Sequence, residues 1–319
     1  MLSTRQLVNG PGRPRYEQLN SANGHLELVV SNTCDLACRY CGVGHSSVWA
    51  ERTKHTEWQR AVLHDTQDSL AYQNLLEEVY DWIADRMSQW HKITFTGGEV
   101  AIMPRFYDLI DRLDFRGKVI KIMTNLNTPD SYMDRFTETL CRLSAAGNQT
   151  EIRASIDGIG LQNDWQRQGA NWDQMRKNWL RLAPLPVQVS VALTMTPLTL
   201  EGMVGVGQFV ADTAVNFANS PTWEVCNHVT NPAAMDPEAW YGLFQQDIRQ
   251  FQQLISAPGV QQTGVMDQTI SWLAQPKVLE PEQVRQLVSY LDRQEQQWGG
   301  PDQWRNVYPR VWALCQARL

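Results

Sequence analysis

Apolar and β-branched residues gather in six short runs, each closed by polar or glycine-containing residues: LELVVS (26 to 31), KITFTG (92 to 97), KVIKIMTN (118 to 125), EIRASIDG (151 to 158), VQVSVALT (187 to 194) and WEVCNHV (223 to 229). Helix-like stretches lie between them, over 57 to 90 with a break, 104 to 114, 130 to 146, 171 to 182 and 200 to 215. Strands alternating with helices at this spacing predict βαβ units and a parallel sheet. Six units are too few to close an ordinary eight-stranded barrel. The pattern therefore predicts an α/β fold, a partial (β/α)6 barrel of the TIM type over residues 26–235, behind an N-terminal extension of residues 1–25. From 236 to 319 the rhythm is only helical, in PEAWYGLFQQDIRQFQQLISA, DQTISWLAQ and PEQVRQLVSYLDRQEQQW, with prolines at helix starts, which predicts a helical C-terminal extension.

Composition narrows the function classes. Of the 319 residues, 43% are hydrophobic, enough for a large core, and the formal net charge of −6 gives no bulk basic footprint for nucleic acid or an anionic membrane. No run of about 18 apolar residues predicts a membrane span, and the N-terminal stretch does not read as a signal peptide. The expected location is the cytoplasm. The glutamines of the C-terminal helices interleave with a Leu, Ile, Val and Trp stripe and read as solvated surface.

A reducing compartment changes how the six cysteines read. Cys34, Cys38 and Cys41 crowd into SNTCDLACRYCGVGHSS, directly after the first strand, and such a cluster points to metal binding or catalysis before a disulfide. Structural zinc takes four ligands, with His45 as the nearest candidate for the fourth; a 4Fe–4S cluster held by three cysteines leaves one iron open to another ligand. Cys141, Cys226 and Cys315 stand apart and are expected to be small buried hydrophobes. Further polar groups close the later strands. Gly97, Gly98 and Glu99 follow the second, where glycines admit a close backbone approach and a carboxylate can take an ammonium. Asn125 ends the third, Ser155, Asp157 and Gly158 the fourth, and Thr194 and Met195 the fifth. Arg167 follows nine residues after Gly158.

The spacing Cys34-x-x-x-Cys38-x-x-Cys41, with Tyr40 before the last cysteine and a strand ahead, resembles the radical SAM superfamily. Gly97-Gly98-Glu99 is similar to its GGE motif, and the segment from Ser155 to Leu182 resembles the SPASM and twitch subgroups, with Asn163-Asp164 where the family pattern often has His-Asp. The resemblance implies that the three cysteines hold one 4Fe–4S cluster and that Glu99 takes the amino group of S-adenosylmethionine. It gives the cofactor's carboxylate to Ser155 and Arg167, and its adenine and ribose to Tyr40, Thr194 and Met195. Gly97, Gly98, Asn125 and Asp157 complete the cofactor-binding set.

The implied chemistry is reductive cleavage of S-adenosylmethionine to a 5′-deoxyadenosyl radical that abstracts hydrogen from a substrate. An electron donor such as flavodoxin or ferredoxin is the implied partner. SPASM enzymes carry further cysteines for an auxiliary cluster; Cys226 and Cys315 are too far apart to suggest one here. His228 is the candidate acid, base or hydrogen-bond donor on the substrate side, with Glu224, Asn227, Asn231, His45, Ser46, Ser47, Trp49 and Arg52 around the same mouth. A peptide or protein is the expected substrate, a small molecule the alternative; a cluster- or zinc-bearing binding protein is the reading without catalysis.

Overall fold

The computed structural model describes residues 24–53, 70–226, 238–260 and 279–319. Six strands form one parallel sheet: β1 (His25–Ser31), β3 (Lys92–Gly97), β4 (Val119–Thr124), β5 (Gln149–Ser155), β7 (Gln188–Thr194) and β8 (Thr222–Cys226). They lie in the order β1-β3-β4-β5-β7-β8, every pair parallel, and among the described residues the sheet does not close on itself. All six are the predicted strands, to within a few residues at each end. Two residues each form β2 (Ala37–Cys38) and β6 (Arg167–Gln168), which pair antiparallel as a separate ribbon.

Alternation along the strands sorts their side chains onto two faces. Ile93 and Phe95, Ile120 and Ile122, Ile152 and Ala154, Val189 and Val191, and Trp223 are buried in the main core. Lys92, Thr94, Lys121, Arg153, Ser190 and Glu224 occupy the alternate positions, and this second face is polar.

Helices cover the apolar face, except α1, which packs on the loop after β1. Among the described residues they are α1 (Ser47–Arg52), α2 (Leu70–Asp85), α3 (Pro104–Arg112), α4 (Asp130–Ala145), α5 (Leu161–Gln166), α6 (Trp172–Leu182), α7 (Pro197–Thr213), α8 (Gln245–Ile255), α9 (Pro281–Trp298), α10 (Trp304–Val307) and α11 (Pro309–Gln316). Local chemistry sets several starts. Asn171 caps α6 by accepting from Gln174 N, Thr196 caps α7 by accepting from Thr199 N, and Pro197 fills the first position of α7, where its missing N–H is no loss. α6 then buries Met175, Trp179 and Leu182 as one stripe.

The C-terminal helices share the core of the sheet. Phe251 of α8 meets Trp223 edge to face at 5.0 Å between ring centroids, and Arg310 binds Asp247 with two bonds of 2.6 and 2.7 Å. Glu201 of α7 accepts from Arg310 N and Val311 N, capping α11. The expected boundary at 235, residues 1–23 of the expected extension 1–25 and the helix expected at DQTISWLAQ lie outside the described residues, and His25 already belongs to β1.

Candidate active site

The loop after β1 gathers the three cysteines. Cys34, Cys38 and Cys41 pack with Leu36, Tyr40 and Ala170 in a small cluster apart from the main core. Its turns are pinned by backbone and side chain alike. Cys41 N donates to Cys38 O at 2.9 Å, Trp49 Nε1 donates to Cys38 O at 2.7 Å, and Ser46 Oγ donates to Leu36 O at 2.6 Å. Ser46 also caps α1 by accepting from Trp49 N, and Cys34 N donates to Ser47 Oγ at 3.1 Å. Ser46, Ser47 and Trp49, expected near the substrate, therefore brace the loop. Burial pushes all three thiols up, Cys38 to about 12.

The β2–β6 ribbon sets Arg167 opposite Cys38. Arg167 Nη1 stands 3.8 Å from Cys38 Sγ, Nη2 ion-pairs with Asp157 Oδ2 at 2.8 Å, and the guanidinium carbon lies 5.8 Å from the Tyr40 ring centroid. Tyr40 donates its hydroxyl to the same Asp157 oxygen, while Asp157 Oδ1 accepts from Thr194 N at 2.6 Å. Arg167 is thus a buried, ion-paired cation. Burial works against its charge, yet Asp157 holds its pKa above the ordinary value. Its Nε is buried and has no hydrogen-bond partner among the described residues.

Glu99 lies fully buried on the other side of the cysteine loop. Its Oε1 accepts from Ala101 N at 3.0 Å and Thr124 Oγ1 at 2.8 Å, and its Oε2 from Asn125 N at 2.5 Å. Burial first, then the nearby charge of Asp35, pushes its carboxyl up to about 7. No cation pairs with it among the described residues. Asn125 Nδ2 donates to Asp35 Oδ1 at 2.7 Å and Asn127 Nδ2 to Asp35 Oδ2 at 2.8 Å, tying the end of β4 to the cysteine loop. Sequence reasoning missed Asp35; its signal is the carboxylate directly after Cys34 facing the alternating pair Asn125 and Asn127.

The two glycines before Glu99 serve a different close approach from the expected one. A Cβ on Gly97 would sit 2.2 Å from Ser31 O, and one on Gly98 would sit 2.0 Å from Thr33 O. They let the end of β3 seat against the start of the cysteine loop, where Gly98 N donates to Ser31 O and Glu99 N to Thr33 O. Ser155 is half-buried at the end of β5, beside Ala192 of β7. Thr194 is nearly buried, whereas Met195 turns into the main core and away from the site. Cys315 is buried as expected, but Cys141 is exposed because it falls just outside the α4 stripe of Phe136, Leu140 and Leu143. His228, Asn227 and Asn231 lie outside the described residues.

A parallel sheet with thiols, a buried carboxylate and a buried guanidinium collected at its strand ends defines an α/β enzyme scaffold with its chemistry at the C-terminal mouth. The family model for the radical SAM superfamily matches residues 28–203, more than half of the chain, and the chain belongs to that superfamily. Its members use a 4Fe–4S cluster and S-adenosylmethionine. No curated protein matches the chain in sequence. Among solved structures it is similar to SuiB of Streptococcus suis at 12% identity and a TM-score of 0.43, covering 88% of this chain and 48% of that one. SuiB bound to S-adenosylmethionine gives 13% and 0.42, with coverages of 88% and 49%. SuiB bound to its precursor peptide SuiA gives 11% and 0.46, with 91% and 51%. The chain spans about half the length of these structures.

The residues present fit the superfamily's cofactors. Three thiols, one buried and two partly exposed, pack in one small cluster, the soft donor set that iron–sulfur cubes take. No three His, Cys, Asp or Glu side chains among the described residues are placed to hold a single metal ion, and a cube asks for none, since its cysteines bind different irons. A carboxylate without a cation and a guanidinium with an unused Nε flank the thiols, which suits the ammonium and carboxylate of an amino acid. No helix of the described residues is long and apolar enough to cross a membrane.

Proposed function

We propose that the chain is a radical SAM enzyme that abstracts hydrogen from a peptide or protein side chain. The observation that carries the reading is the meeting of Cys34, Cys38 and Cys41 in one small cluster flanked by the buried Glu99 and Arg167. Bound there, a reduced 4Fe–4S cluster and S-adenosylmethionine supply a 5′-deoxyadenosyl radical.

In this reading the three cysteines hold the cluster, Glu99 takes the ammonium of S-adenosylmethionine, and Ser155 and Arg167 take its carboxylate. Asp157 acts through others: both its oxygens already accept from protein donors, so it positions Arg167 and Tyr40. Tyr40 and Thr194 border the remainder of the cofactor, Asn125 braces the loop through Asp35, and Gly97 and Gly98 let that loop close on β3. His228 serves the substrate side, and residues 26–235 form the catalytic barrel, with 236–319 as its helical extension.

The peptide is favoured by the resemblance of the Ser155-to-Leu182 segment to SPASM and twitch enzymes. It is also favoured by β1, which pairs with β3 alone and leaves its other edge unpaired among the described residues. A cleft open along one side suits an extended chain better than an enclosed metabolite. A small reducing protein of the flavodoxin or ferredoxin kind supplies the electron.

The test is anaerobic reconstitution with iron and sulfide, reduction with dithionite, and assay of 5′-deoxyadenosine, beside the triple variant Cys34→Ala, Cys38→Ala, Cys41→Ala. Formation by the wild type and loss in the variant is the expected result. A bound zinc without cleavage would overturn the reading.

A further inference from the structure

The polar face of the sheet carries charges that the cofactor site does not use. Lys121 of β4, Arg153 of β5 and Glu224 of β8 alternate with core residues along their strands, so all three stand on the face away from the main core. Lys121 Nζ donates to Glu224 Oε1 at 2.6 Å, Ser190 Oγ donates to the same oxygen at 3.2 Å, and Arg153 Nε lies 3.3 Å from Oε2. β4 and β8 are three places apart in the sheet, so this network spans its inner floor.

Within this network two cations share one carboxylate, while neighbouring Lys92 is matched by Glu151 at 2.9 Å, so the network itself carries one positive charge in surplus. The surplus falls on Arg153. Its side chain keeps 17% of its exposure, its Nε makes no hydrogen bond, and neither Nη has a hydrogen-bond partner among the described residues. A guanidinium offers five donors in a planar fork, and here only Nε faces a carboxylate, so the Nη edge is open to an incoming acceptor. Arg153 lies two positions before Ser155 on β5, about 7 Å along the strand and one side-chain layer below the mouth. A group held there lies within the same cleft as the cofactor residues.

We propose that Arg153, with Lys121 beside it, forms a subsite for a carboxylate of the substrate. The fork matches a carboxylate in two-point fashion, and a surplus of one charge suits a monoanion better than a doubly charged phosphate. Glu224 is the internal counter-ion, holding Lys121 and competing with the incoming group for Arg153. Resting on the peptide reading above, the subsite selects a glutamate or aspartate side chain.

The experiment uses the full chain, loaded with cluster and S-adenosylmethionine, to retain peptides from a mixed-sequence library with a central glutamate or a central glutamine; free glutarate is a separate arm. Retention of the glutamate half over the glutamine half is expected. Arg153→Gln weakens that retention about tenfold, Arg153→Lys gives an intermediate loss, and Glu224→Gln tightens it by removing the competitor. Glutarate binding with the same Arg153 dependence supports the subsite and gives its source as a small acid. Equal retention of the two halves overturns the subsite, as does an Arg153→Lys protein that binds like wild type together with a Glu224→Gln protein that gains nothing. Melting temperatures keep a folding failure apart from a binding loss. S-adenosylmethionine affinity in the same samples reports on the parent reading: its absence overturns the cofactor site, whereas its presence without acid preference overturns only the subsite.

Discussion

Arg167 is the register partner of Cys38 across the β2–β6 ribbon, and its Nη1 stands 3.8 Å from the cysteine sulfur. The same guanidinium is ion-paired with Asp157, which also receives the Tyr40 hydroxyl and the Thr194 N–H. One buried cation therefore ties the cysteine loop to the ends of β5 and β7. The position of a thiol and the position of a buried guanidinium are set together.

Removing that cation leaves Asp157 buried and unpaired. Arg167→Gln is expected to lose about 3–5 kcal/mol of stability, read as a fall in the urea midpoint at unchanged slope. Arg167→Lys retains charge but cannot reach Asp157 and Cys38 together, so it recovers only part of the loss. A wild-type midpoint in Arg167→Gln would show that the pair contributes nothing net.

The six strands were legible because each alternates or clusters β-branched residues between polar ends, as VIKIMT does in β4. The cysteine spacing and Gly97-Gly98-Glu99 were legible because their chemistry is local. The ribbon was not. Two residues have no periodicity, and Cys38 and Arg167 are 129 positions apart, so nothing short of the fold pairs them. The Lys121–Glu224 bridge was hidden in the same way, although Glu224 itself was marked as a mouth residue. α1 passed unnoticed because six residues are too short for a stripe; its one signal is Ser46 capping Trp49 N.

The glycines of the site separate steric need from backbone freedom. Gly98→Ala would drive a Cβ to 2.0 Å from Thr33 O, forcing the cysteine loop off β3. The expected result is a loss above about 4 kcal/mol, with little soluble protein and poor cluster loading. Gly117→Ala meets open space but sits at φ +72°, so it costs only about 1 kcal/mol. Equal melting temperatures for the two variants would contradict this division.

Glu99 gives the cofactor-free chain a pH dependence of definite sign. A carboxyl raised from its ordinary 4.5 to about 7 keeps its proton in the folded state at pH values where the unfolded chain has released it. Its contribution therefore falls as pH rises from about 4.5 through about 7, by on the order of 3 kcal/mol, and is flat beyond. Glu99→Gln removes this component. It also sets an amide N–H against a backbone donor or the Thr124 hydroxyl, so it lowers stability while flattening the curve. Urea unfolding from pH 5 to pH 8 checks the difference, and parallel curves for the two proteins would sink it.

Arg39 joins the cysteine loop to the C-terminal helices. It is fully buried, its guanidinium lies 3.7 Å from the Trp165 ring centroid, its Nε donates to Trp165 O at 2.8 Å, and its Nη2 donates to Gln168 Oε1 at 2.9 Å and to Gly299 O. Tyr290 of α9 donates its hydroxyl to Arg39 O. Lysine can supply neither the fork nor the flat face, so Arg39→Lys is expected to lose about 2–3 kcal/mol, and Tyr290→Phe about 1 kcal/mol. The two losses should not add, because both release the same end of α9 from the same loop. Hydrogen exchange is the direct measurement: Arg39→Lys should speed exchange of the amides of Arg39 and Cys41 and of Gly299 together. Faster exchange confined to α9 would mean that the C-terminal helices rest on the barrel without holding the cysteine loop in place.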